Sequence, residues 1–317
     1  MLINIILLVM GFVVLIKCAD IFVDSASDIA THFHLSKMLI GLTIVSFGTS
    51  APEFAVSVKS LLSGSGDIVL GNVIGSNILN ILLILGVSSL VHPLTVKNNT
   101  VKKEIPITLL ISTLLVVLLS DSAFDSKIVN TFTRGDGIAV LLFFLIFVYY
   151  LINQMRNKTD KEVEEPKNKL SLSILFTIIG IIGIIVGSNF VVNSASYIAA
   201  HLGVSEKMIA LTIVALGTSL PELVTSVVAT KKGNYDIAIG NVVGSNIFNI
   251  GIVIGIPVTL FGGIYTYSIN VIDLFALIIT TVLLFFCSFT EYKIQKKEGL
   301  IFLLTFIIYY SYVIFGQ

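Results

Sequence analysis

Gly48-Thr49-Ser50-Ala51-Pro52-Glu53 returns later in the same chain as Gly217-Thr218-Ser219-Leu220-Pro221-Glu222. Upstream, Leu42-Thr43-Ile44-Val45 returns as Leu211-Thr212-Ile213-Val214. Downstream, Gly71-Asn72-Val73-Ile74-Gly75-Ser76-Asn77-Ile78-Leu79-Asn80 returns as Gly240-Asn241-Val242-Val243-Gly244-Ser245-Asn246-Ile247-Phe248-Asn249. The offset is 169 residues both from Glu53 to Glu222 and from Asn80 to Asn249, and 22 of the 40 positions in 41–80 match without a gap. Agreement of that extent at one fixed spacing is an internal duplication.

The duplicated blocks lie in a chain suited to lipid. Of its 317 residues 56% are hydrophobic and 12% charged, with a mean hydropathy of +1.01. A soluble domain carries about twice that charged fraction, and only bilayer tolerates so much unshielded apolar surface. Apolar stretches near 3–23, 38–62, 68–90, 104–120 and 136–152 are followed by a polar linker, Asn153 to Lys169. Five more fall near 172–193, 207–230, 236–258, 268–288 and 299–315. The expected fold is therefore an all-α integral membrane protein of ten transmembrane helices, with a first repeat over 1–152, a linker over 153–170 and a second repeat over 171–317. Residues 2–16 lack a basic leader and a small-residue cleavage site, so they read as the first span rather than a cleaved signal. Zero net charge argues against nucleic acid as a partner. Cys18 and Cys287 both sit in apolar segments and read as small apolar fillers.

Loop charge sets the sidedness. With the N-terminus outside, the inner loops hold Lys37, Lys97, Lys102, Lys103, the basic residues of the linker, Lys231, Lys232, Lys293, Lys296 and Lys297. The outer loops hold only Lys59, Lys127, Arg134 and Lys207. The positive-inside rule then puts both termini outside and the 153–169 linker in the cytoplasm. An odd number of helices per copy turns the second copy upside down. Inverted repeats are an architecture of secondary transporters, with the site near mid-membrane where the repeats meet.

Within the spans, Glu53 and Glu222 stand out, because a carboxylate inside a membrane helix is expensive and marks a functional site by default. The alternative, a protonated or lysine-paired glutamate, finds no buried cation nearby: Lys17, the one basic residue inside a predicted helix, is expected to snorkel to the cytoplasmic face. Pro52 and Pro221 have no N–H and press on the carbonyls of Gly48 and Gly217, so each helix should break there and free main-chain oxygens. Ser46, Thr49, Ser50 and Ser57 share a helical face with Glu53, as Thr218, Ser219 and Ser226 do with Glu222. Any single hydroxyl could instead bond back to its own helix. Asn80 shares a face with Ser76 and Asn77, and Asn249 with Ser245 and Asn246. The Gly71/Gly75 and Gly240/Gly244 pairs have the small-xxx-small spacing that lets helices touch, and should bring the Asn-bearing helix against the Glu-bearing one. The donors gathered in this way are all hard oxygens, which suits calcium and sodium and not zinc or copper. His32, His34, His92 and His201 fall in predicted loops and read as solvated.

The paired G-T-S-x-P-E and G-N-V-x-G-S-N-I-x-N blocks resemble the two alpha-repeats of the sodium/calcium exchanger family, within the calcium/cation antiporter superfamily, over nearly the whole chain. The resemblance implies that helices 2, 3, 7 and 8 build the site while helices 1 and 6 slide past them. It implies that Glu53 and Glu222 bind calcium directly and that Thr49 and Thr218 add an oxygen. Ser50, Ser76, Asn80, Ser219, Ser245 and Asn249 match positions that complete the sodium sites or lie beside them, and Ser46 and Ala215 match positions offering main-chain carbonyls. Asn rather than Asp at Asn249 resembles the potassium-independent branch. The short linker leaves no room for the cytoplasmic calcium-sensing domain of animal exchangers.

The reading favoured is a sodium/calcium antiporter of the plasma membrane, functional as a monomer, with the ions as cargo and no resident cofactor. A calcium/proton antiporter of the same fold is the alternative. A passive channel gives no reason for an inverted repeat. An intramembrane enzyme would need more than an acid pair, and no Ser–His pair, metal cluster or nucleotide loop accompanies it.

Overall fold

A computed structural model describes residues 1–124, 130–156, 166–204, 206–265 and 270–315 of the chain. Residues 157–165, the middle of the sequence-predicted linker, lie outside the described residues. Among the described residues the architecture is all-helical, apart from four two-residue strands.

In chain order the principal helices are α1 (Leu2–His32), the bent pair α2 (Lys37–Thr49) and α3 (Ala51–Leu62), α4 (Gly66–Val91), α5 (Ile105–Leu118) and α6 (Arg134–Arg156). The second half supplies α7 (Leu170–His201), the bent pair α8 (Thr212–Thr218) and α9 (Leu220–Lys231), α10 (Tyr235–Phe261), α11 (Val271–Phe289) and α12 (Lys296–Phe315). Seven of these are individually long and apolar enough to cross a membrane, or nine spans if each bent pair is one, among the described residues. The helix ending in α5 is the exception. Its α-helical part has 14 residues, and the π-helical turn before it, Thr100–Glu104, carries Lys102, Lys103 and Glu104.

α1 and α7 run 31 and 32 residues, well past the 3–23 and 172–193 stretches expected from hydropathy. They lie against each other, and their seam is lined by small residues: a Cβ added to Gly187 would meet the Leu15 main-chain nitrogen at 2.8 Å, and one added to Gly183 would run into Cys18 Sγ. His32 and His201, expected in loops, close these two helices instead, and His32 Nε2 lies 2.7 Å from the Asn168 carbonyl oxygen. Lys17 is exposed partway along α1.

α4 and α10 form the centre. The hydropathic windows of both are mostly buried inside the protein, 72% and 94%, whereas those of α1 and α12 are 17% buried. The apolar exteriors of the outer helices, with Ile5, Leu145, Ile308 and Phe286 exposed, fit a lipid surround. Two antiparallel strand pairs tie the halves together at their loops: Leu94↔Ile294 with Thr95↔Lys293, and Thr131↔Tyr265 with Phe132↔Ile264.

Candidate functional site

Both proline motifs break their helices as their chemistry requires. Pro52 and Pro221 sit in the first turn of α3 and α9, and the preceding Ser50 and Ser219 leave helical geometry at φ −83°, ψ 6° and φ −89°, ψ 3°. The spans bend there by 45° and 56°. Glu53 and Glu222 thus lie in the first turn of a new helix, where main-chain N–H groups point toward the break and favour negative charge. Both side chains are fully buried.

The site closes around this pair. Ser50 Oγ donates to Glu222 Oε1 at 3.0 Å across the repeats, and Ser76 Oγ lies 3.5 Å from Glu53 Oε1 as a donor. Ser76 also contacts Ser219 Oγ at 3.2 Å and accepts from Asn249 Nδ2 at 3.3 Å. The Glu222 carboxylate is close enough to act on Glu53 electrostatically, and neither has an ion-pair partner among the described residues. Among the described residues no three His, Cys, Asp or Glu stand close enough together to hold a metal ion by themselves.

The sequence-predicted residues are not all equivalent once placed. Glu53, Glu222, Ser50, Ser219, Ser76, Ser245, Asn80 and Asn249 are buried on the four elements that meet at the centre. Thr49 is also buried, but its hydroxyl donates to Asn241 Oδ1 at 3.0 Å. Ser46 Oγ donates its proton back to the Thr43 carbonyl at 3.2 Å, the local bond open to a serine within a helix. Its main-chain oxygen already accepts from Ser50 N at 3.0 Å. Thr218 Oγ1 bonds back to the Ala215 carbonyl at 3.3 Å, and Ala215 itself is exposed. The carbonyl that Pro221 frees on Gly217 accepts from Ser188 Oγ at 3.0 Å, which anchors α7 to the break.

Sequence reasoning passed over Asn72 and Asn241. Each sits at the same position of its repeat, with its Nδ2 at 3.5 Å and 3.4 Å from the main-chain oxygen of Glu53 and Glu222 respectively. Asn241 also donates to Ser226 Oγ at 3.0 Å. The signal was present, since both lie in the duplicated Gly-Asn-Val block.

The glycine pairs behave differently in the two copies. A Cβ on Gly240 would meet the Met38 carbonyl at 2.8 Å and Gly41 Cα at 3.0 Å; one on Gly244 would meet Leu42 Cα at 2.8 Å. Gly71 and Gly75 have nothing within 4 Å. The expected close contact therefore forms between α2 and α10, whereas α8 meets α4 through Ala215–Thr218 and leaves Gly71 and Gly75 uncovered. Consistent with this, Val45 and Ser46 are buried while their repeat mates Val214 and Ala215 are exposed. At the α2 end, Lys232 pairs with Asp20 at 2.7 Å and Asp24 at 2.9 Å, tying α1 to the turn between α9 and α10.

Known proteins resemble this chain in sequence and in fold. The family profile described as sodium/calcium exchanger protein matches residues 3–153 and 172–315. An inner membrane protein of Escherichia coli, YrbG, is 39% identical over 267 residues, covering 81% of this chain and 80% of its own. The sodium/calcium exchanger MaX1 of Methanosarcina acetivorans is 32% identical over 343 residues, covering 96% and 97%. A solved structure of the sodium-calcium exchanger NCX_Mj superposes with a TM-score of 0.82 at 32% identity, covering 97% of each chain. With matches across both halves, the chain is a membrane protein and belongs to the sodium/calcium exchanger family.

Proposed function

We propose that this chain is a secondary antiporter that exchanges sodium for calcium by alternating access. The observation that carries this reading is a set of buried oxygens with no protein hydrogen-bond partner: Glu53 Oε2, Glu222 Oε2, Asn80 Oδ1, Asn249 Oδ1 and Ser245 Oγ. They come in repeat-related pairs, apart from the serine, and all are hard donors. Calcium takes about 6–8 such oxygens. Two buried carboxylates without a counter-charge are costly, by several kcal/mol each even after relaxation, so a cargo cation supplies what the protein lacks. Because calcium and sodium would use the same two carboxylates, one must leave before the other binds, and differential affinity in the two facing states would couple them.

The finer features follow from the same reading. Asn at position 249 supports transport without potassium. The span ending in α5 would complete ten transmembrane helices, arranged as inverted halves over 1–152 and 171–317. The protein would act as a monomer in the plasma membrane, with both termini outside and the 153–170 linker cytoplasmic. On that topology the α2–α10 contact lies on the cytoplasmic side and is shut, and the uncovered face of α4 lies on the outer side.

The test is purified protein in liposomes, with calcium flux followed under sodium, potassium and pH gradients imposed one at a time. Flux should follow the sodium gradient alone. Flux that follows pH at zero sodium gradient would replace this reading with the calcium/proton antiporter. The topology has its own check. A single cysteine placed in 157–165 should resist an impermeant thiol reagent added to intact cells and react in everted vesicles; the reverse pattern would invert the assignment.

A further inference from the structure

We propose that Asn77 and Asn246 are positioning residues of the ion site, which fix the direction in which the amides of Asn80 and Asn249 face. The inference rests on the exchanger reading above and deepens it.

Four amides form a closed set between α4 and α10. Asn77 Nδ2 donates to the main-chain carbonyl of Asn246 at 3.1 Å, and Asn246 Nδ2 donates to that of Asn77 at 3.2 Å. A main-chain carbonyl can only accept. Each of these two amides must therefore turn its NH2 toward the opposite backbone and its oxygen away from it. The oxygens so directed are the acceptors for the next pair: Asn80 Nδ2 donates to Asn246 Oδ1 at 2.9 Å, and Asn249 Nδ2 donates to Asn77 Oδ1 at 3.0 Å. Turning either Asn80 or Asn249 over would set oxygen against oxygen in a dry interior, where an unmade hydrogen bond costs about 1–3 kcal/mol.

The outcome is the pair of buried, unpartnered oxygens Asn80 Oδ1 and Asn249 Oδ1. Their direction is dictated by two backbone carbonyls, acting through one intermediary each. Asn77 and Asn246 each commit their side-chain oxygen to accepting from the next amide, whereas Asn80 Oδ1 and Asn249 Oδ1 have no protein partner. The dependence also crosses the repeats: Asn77 of the first sets Asn249 of the second, and Asn246 sets Asn80. The helices change from α to π at Asn80 and at Asn249, so these two stand at the start of a widened turn while Asn77 and Asn246 lie in the α-helical turn before it.

A double-mutant cycle tests this. Asn249→Asp carries an oxygen on both sides of its head group, so its contribution to the site no longer depends on which way it is turned. Full-length protein is reconstituted in liposomes, and the calcium KM and maximal rate of sodium-driven uptake are measured beside the thermal midpoint. Asn77→Ala should raise the calcium KM about 10–100-fold, as expected when the residue orienting a metal ligand is lost. In the Asn249→Asp background the same change should alter KM by less than about 3-fold, a strong departure from additivity. Asn246→Ala with Asn80→Asp is the mirror cycle and gives the same reading if Asn77→Ala does not insert. Equal losses in both backgrounds would mean that Asn77 only packs the core, and would overturn the proposal. No calcium uptake by the unsubstituted protein would remove the exchanger reading, and this inference with it.

Discussion

Glu53→Gln and Glu222→Gln are each expected to reduce sodium-driven calcium uptake to background in reconstituted vesicles, with the protein still inserted and folded. Gln keeps the shape of the side chain, so the bends at Ser50 and Ser219 and the first turns of α3 and α9 stay as they are. Only the charge goes. A calcium ion held by one carboxylate instead of two should lose at least about 100-fold in kcat/KM, or about 2.7 kcal/mol. Folding is not expected to suffer. Each side chain is fully buried with one oxygen unsatisfied, so neutralising it removes a desolvation cost. Calcium should raise the thermal midpoint of the unsubstituted protein, because it binds the folded state alone, and should leave that of either variant unmoved. Undiminished uptake, or an unchanged calcium-dependent rise in midpoint, would falsify the assignment of the two acids.

These two carboxylates, and most of the residues gathered around them, could be read from the chain because duplication marks them twice. Proline chemistry gave the position of each helix break, and the broken spans follow it closely. What repetition cannot reveal is any difference between two nearly identical copies. Gly75 and Gly244 are the same residue in the same motif, yet one faces open space and the other touches Leu42. That difference belongs to the packing of the whole protein in one conformation. The π-helical segments at Gly41–Val45, Asn80–Leu85 and Asn249–Ile254 were equally hidden. A change from i→i+4 to i→i+5 bonding leaves no composition signal, since Leu, Ile and Val suit either. The bond that an individual hydroxyl makes was not legible either: Ser46 shares a helical face with Glu53, and its proton goes to its own backbone at the Thr43 carbonyl. The long, low-periodicity helices α1 and α7 were placed correctly and cut short. Their C-terminal ends, past residues 23 and 193, carry Asp24 and Asp28 in one case and Tyr197 and His201 in the other, which hydropathy treats as an exit from lipid.

The unequal glycines yield the second large effect. Gly244→Ala and Gly75→Ala are the same substitution at repeat-related sites, and they should displace the protein in opposite directions. At Gly244 the new methyl would lie 2.8 Å from Leu42 Cα and 2.7 Å from Ser46 Oγ. The first of these is backbone, so α2 has to move away from α10. Overpacking of this kind costs about 1–3 kcal/mol, enough to shift a two-state equilibrium about 5–150-fold toward the conformation in which that contact is open. At Gly75 the methyl meets nothing within 4 Å, so the conformation seen here accepts it. If the halves exchange roles during transport, α8 must come down on α4 as α2 now lies on α10, with Ala215 approaching Gly75 as Ser46 approaches Gly244. The methyl at Gly75 then penalises the other conformation alone. Both variants should transport slowly for opposite reasons. A cysteine at Val45, buried under α10 in the present state, should become more reactive to thiol reagents on the side where α2 meets α10 in Gly244→Ala and less reactive in Gly75→Ala. Parallel changes in the two variants would mean that these glycines serve packing in general, and that the asymmetry between the copies is not the axis along which the transporter moves.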